Sequence, residues 1–115
     1  MKEGDVLLAS LRQADGRIKN RPVVVLRRLP PLGDLLVCGV SSQLQQAVAG
    51  FDEIIGPQDE DFASSGLKTA SVIRLGFLAS LPPGDFVGRI GAISRQRHRR
   101  LLINLCDYLE PSETT

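Results

Sequence analysis

The chain has 115 residues, 43% hydrophobic and 23% charged, with a formal net charge of +1. That length holds one core and no second domain, and the near-neutral balance excludes a chain held to nucleic acid or membrane by bulk charge alone. No apolar run approaches the ~20 residues of a membrane-spanning helix, and the charged opening from Met1 to Asp5 does not read as a signal peptide, so the expected location is cytoplasmic.

In chain order, Gly4 to Leu11 is apolar with weak alternation and predicts a strand. Gln13 to Asn20 is polar and contains Asp15-Gly16, which predicts a hairpin loop. Pro22 to Leu26 is short and β-branched, as a buried strand would be, and Pro22 at its first position would cost no ladder bond. Leu29 to Gly33 predicts a turn, and a third strand follows from Asp34 to about Val40, ending in Ser41-Ser42-Gln43. Phe51 to Ile55 is a candidate short strand, and Gly56 to Ser65 reads as an acidic loop. An extended apolar segment centres on Ser71 to Leu75, Pro82 to Gly84 turns the chain, and Phe86 to Ile93 gives one more strand.

The last element is the one predicted helix. Ser94 suits an N-cap, Leu101, Leu105 and Leu109 share a face with Leu102 and Cys106 beside them, and Pro111 stops it. The predicted domain is residues 1–110, with a disordered tail over 111–115. Several short strands closed by a helix predict an α+β, mainly β domain on a curved, barrel-like sheet. Cys38 and Cys106 lie in apolar stretches and read as two buried, reduced thiols. With one histidine in the chain, no metal site is expected.

Charge is segregated. Basic residues gather between Arg17 and Arg28 and again from Arg95 to Arg100, while Asp52, Glu53, Asp59, Glu60 and Asp61 form an acidic group. Arginines in the first turns of a helix oppose its macrodipole, so RNA or an acidic partner is one account of them and a solvated basic face the other.

Three stretches, in this order, carry a resemblance: Lys2 to Val6 (KEGDV) with Asn20 to Leu26 (NRPVVVL), Gly39 to Gln43 (GVSSQ), and Gly66 to Arg74 (GLKTASVIR) with Val87 to Ser94 (VGRIGAIS). Together they resemble the MazF/PemK (Kid) toxins over roughly Lys2 to Tyr108. The resemblance implies an SH3-like small barrel of the CcdB/MazF/PemK type with a C-terminal helix, a homodimer, and an antitoxin protein as inhibitor. It also implies metal-independent cleavage of single-stranded RNA, with no cofactor, leaving a 2′,3′-cyclic phosphate and a 5′-hydroxyl.

Carried over residue by residue, Arg21 matches the family's catalytic arginine, and a guanidinium fork suits phosphate oxygens. Ser41 stands where the family has a catalytic threonine. Arg74 matches a second arginine of the Kid branch, but Gly76 replaces the Asp that branch places two residues later. Arg74 is therefore expected as a phosphate contact, with Arg17, Lys19, Ser42 and Gln43 as further RNA-binding candidates. Family members often carry Glu or His in the loop before the Arg-Pro pair. Here Asp15 is the only carboxylate there, a candidate base equally explained as a turn residue. A topoisomerase-poisoning role of the CcdB kind is disfavoured by the missing Trp-Gly-Ile ending. A barrel that binds RNA or a protein without cleaving stays as the alternative, decided by whether Arg21 and Ser41 converge on one concave face.

Overall fold

In the computed structural model, which describes residues 1–111, six strands form one antiparallel sheet. They are β1 (Asp5–Arg12), β2 (Ile18–Leu29), β3 (Asp34–Ser41), β4 (Glu53–Ile55), β5 (Ser71–Leu81) and β6 (Phe86–Ala92). The order across the sheet is β4-β5-β3-β2-β1-β6. A four-residue helix, α1 (Phe62–Ser65), and the terminal helix α2 (Arg95–Leu109) complete the fold. The mainly β architecture with a C-terminal helix is the one the sequence predicts. Of the expected tail, residues 112–115 lie outside the described residues.

The sheet is bent by bulges in the β1–β6, β2–β3 and β3–β5 ladders, each of which adds local twist and curvature. It therefore carries a core on both faces. Val24, Leu26, Cys38, Val40, Ile73 and Leu75 pack with Leu101 and Leu105 of α2. Leu7, Val23, Val25, Leu35, Val37 and Phe86 form the second cluster. Burial on both faces is why Val23 to Leu26 is an unbroken apolar run.

Several expectations are corrected. β2 begins at Ile18, inside the segment read as a loop, so Pro22 is not a first residue. Its position is still tolerated. Gly4 N–H donates to Val25 O at 2.8 Å, so Val25 and Val23 direct their polar groups to β1. Pro22 then presents its nitrogen to the β3 side, where pairing begins only at Val23. The acidic loop contains α1, which was not predicted because four residues carry no readable period. Leu109 is 64% exposed, although Leu101 and Leu105 are buried. Cys106 is exposed on α2, unlike Cys38. Burial pushes the Cys38 thiol up to about 12, leaving it protonated.

Two arginines of the Arg95–Arg100 run, Arg97 and Arg100, have an internal explanation. Arg97, 5% exposed, grips Asp61 with two hydrogen bonds of 2.8 and 3.2 Å and Glu53 with one of 2.9 Å, and lies 3.3 Å from Asp59. Arg100 adds two bonds to Glu53. Asp61 also accepts from Ser94 N–H (2.9 Å), and Ser94 Oγ caps Arg97 N–H (3.1 Å). The acidic segment thus neutralises the helix start it faces. His98 meets the Leu26 carbonyl at 2.8 Å and has a structural role.

Gly66 and Gly91 each allow a close backbone approach between α1 and β6. Gly66 ends α1 at φ +76°, where a Cβ would collide with the Ile90 carbonyl, and a Cβ on Gly91 would collide with the Ser64 carbonyl. These positions let α1 lie on β6.

Candidate active site

Where β2 and β3 separate, a cleft of about 480 Å³ opens on the sheet face away from α2. The register explains what meets there. Val23 pairs with Gly39 and Val24 with Cys38 at the end of the ladder, and Arg21 and Ser41 each lie two residues beyond that last pair, where the strands part. Gly39 in turn pairs with Arg74 of β5. Side chains at alternate positions share a face, so Arg21, Ser41 and Arg74 all project where Gly39 leaves room. All three line the cleft, with Ser42 and Gln43.

The lining also includes Arg12, Gln13, Gln46 and Phe77, which sequence reasoning did not single out. Gln13 Oε1 accepts from Arg21 Nη2 at 3.1 Å and so orients the exposed guanidinium. No sequence signal marked Gln13; a glutamine in a polar loop is ordinary. Phe77 did have one, since an isolated glycine in a strand pattern, Gly76, suggests a bulge. Ser41 Oγ accepts from Gln43 N–H at 3.1 Å, which steadies the strand end and leaves the hydroxyl proton free to donate.

Three predicted residues lie elsewhere. Asp15 accepts from Arg17 N–H at 2.9 Å and builds the hairpin turn with Gly16 at φ +85°. Arg17 and Lys19 are exposed near the hairpin tip, and none of the three lines the cleft. Among the described residues the lining contains three arginines and neither carboxylate nor imidazole, so its field is positive and suits an anion. Among the described residues no cluster of histidine, cysteine, aspartate or glutamate could hold a metal ion.

Gly39 is held small by Phe77. A Cβ there would stand 3.0 Å from the ring's Cδ1. Gly39→Ala is expected to cost about 1 kcal/mol, because the half-exposed ring can yield toward solvent. Urea denaturation of the variant measures it.

The chain matches the family model described as PemK-like, MazF-like toxin of type II toxin-antitoxin system, over residues 2–109. Its fold is similar to the solved Mycobacterium tuberculosis toxin MazF-mt6, with a TM-score of 0.68 at 20% sequence identity, covering 94% of this chain and 98% of that one. No curated protein matches the chain by sequence.

Proposed function

This chain belongs to the PemK-like, MazF-like toxin family of type II toxin–antitoxin systems, and from that membership we propose that it is a metal-independent endoribonuclease cutting single-stranded RNA. It acts as a homodimer in the cytoplasm, and a cognate antitoxin protein inhibits it. The observation that carries the reading is the meeting of Arg21, Arg74 and Ser41 around one cleft.

The chemistry follows from those groups. The 2′-oxygen, deprotonated, attacks the adjacent phosphorus and the bond to the 5′-oxygen breaks; the departing oxygen takes a proton from water, leaving a cyclic phosphate and a 5′-hydroxyl. Negative charge grows on the non-bridging oxygens as the new bond forms. Arg21 and Arg74 offer positively charged donors to those oxygens before the reaction begins, which lowers the barrier without reorganisation. The Ser41 hydroxyl donates to the same phosphate. The test is a diverse RNA pool with excess chelator and purified protein free of antitoxin. Discrete fragments ending in cyclic phosphate support the reading; an intact pool with folded protein sinks it.

Among the described residues no carboxylate or imidazole lines the cleft, and the proton of the 2′-hydroxyl leaves to hydroxide. The cleavage rate should therefore rise about tenfold per pH unit through neutrality, with no bell-shaped maximum there. Single-turnover rates from mildly acidic to mildly alkaline buffer check this, and a plateau would reveal a titrating base. Asp15→Asn should leave the profile unchanged.

The same lining favours one second reading, a cleft that binds RNA without cutting it. Binding of a 2′-O-methyl oligomer without cleavage of its unmodified counterpart would select it.

A further inference from the structure

Between Arg74 and Leu78, β5 departs from its ladder. Arg74 pairs with Gly39 and Leu78 with Cys38, so Leu75, Gly76 and Phe77 face a single step of β3. This bulge is built rather than loose. Leu75 is 1% exposed and points into the helix-side core. Its N–H, left without a ladder partner, donates to Asp52 Oδ1 at 3.0 Å, while Asp52 Oδ2 accepts from Val48 N–H at 2.9 Å. Gly76 is exposed, and Phe77 is carried over Gly39 to line the cleft beside Arg21 and Arg74.

A bulge that re-aims a side chain beside a functional cleft serves the side chain it presents. Here it presents a phenyl ring, 40% exposed, in a wall otherwise formed mainly by cations, amides and hydroxyls. Leaving that ring in water costs burial energy which the neighbouring second core was available to recover. A ring beside phosphate-binding cations suits one ligand chemistry, a nucleotide, whose phosphate seeks the arginines and whose base has an apolar face.

We propose that Phe77 is the platform on which the cleft stacks one nucleobase of its RNA, with Gly39 conserving the space the ring needs. The inference rests on the RNA reading above and extends it. Stacking is tolerant of base identity, so any sequence preference comes from the amides of Gln43 and Gln46 at the same cleft.

The experiment measures binding, so it does not depend on cleavage. A short 2′-O-methyl RNA oligomer and an abasic oligomer of equal length and charge are titrated into wild type, Phe77→Leu, Phe77→Trp and Arg21→Ala. Phe77→Leu should weaken the base-bearing oligomer roughly 5- to 100-fold, the range of a lost base–aromatic stack, and leave the abasic one unchanged. Phe77→Trp supplies the sole tryptophan of the chain; it should keep affinity, with fluorescence quenched by the base-bearing oligomer only. Arg21→Ala should weaken both.

Wild-type affinity in Phe77→Leu, with Arg21→Ala still impaired, overturns the platform and leaves the phosphate site standing. Equal loss of both oligomers together with loss of self-association also overturns it, assigning Phe77 to a protein contact. Failure of wild type to bind either oligomer removes the RNA reading and the platform with it.

Discussion

Arg21→Ala should lower RNA cleavage on the order of 10²–10³-fold, the usual cost of removing a preorganised donor to developing negative charge, while leaving the fold intact. Arg21 is exposed, and its recorded bond is the one to Gln13. Truncation therefore buries no unpaired group and should change stability by less than about 0.5 kcal/mol. Arg21→Lys should recover only part of the rate, because an ammonium keeps the charge but loses the planar fork that two phosphate oxygens can share. Single-turnover cleavage alongside urea denaturation separates catalytic loss from unfolding. Undiminished cleavage by Arg21→Ala would remove this cleft as the reaction site.

The largest stability effect is expected at the other end of the molecule. Arg97→Met leaves Asp61 and Glu53 facing each other across a space where 5% of the arginine was exposed. Breaking a buried ion pair from one side typically costs about 3–5 kcal/mol, a large share of the stability of a domain this size. Adding Asp61→Asn to Arg97→Met should restore part of the loss, since one uncompensated charge disappears. Urea denaturation of the single and double variants measures both.

Acid dependence provides an independent check of the same network. Burial pushes the Asp61 carboxyl up, but the Arg97 guanidinium and the Ser94 amide outweigh it and hold the group below the usual carboxylate range. A carboxyl held down in the folded state binds its proton more readily when unfolded. Its contribution is thus complete above the ordinary carboxylate value near ~4 and lost as pH falls through the folded one. Wild type should lose stability across that acid window, and Arg97→Met should lose less, so their difference narrows as pH drops.

The network also shows where local reasoning about charge stops. Arginines at Arg97 and Arg100 look misplaced against a helix dipole when the helix is viewed alone. The segment from Gly56 to Ser65 reads as an acidic loop, and Glu53 as part of a short strand, when each is viewed alone. The arginines and the carboxylates answer one another across about forty residues of chain. Neither composition nor period encodes that pairing, because ion pairs between distant segments leave no local pattern.

What the sequence by itself determined is local and periodic. The β-branched run after Pro22, the turn chemistry of Asp15-Gly16 and Gly33, and the Ser94 cap with Leu101 and Leu105 each have a backbone cause acting within a few residues. The ordered motifs added the family, and with it Arg21, Ser41 and Arg74. Tertiary structure decided the rest. The end of the β2–β3 ladder at Val23 and Gly39 left Arg21 and Ser41 lining one cleft, and the β5 bulge brought Phe77 over Gly39. It also took Asp15 out of the cleft and put Gln13 in, although both sit in the same short loop. A turn can direct adjacent side chains to opposite sides, and which side faces the cleft depends on how the hairpin lies on its neighbours. That is a property of packing between strands, and no stretch of the chain carries it alone.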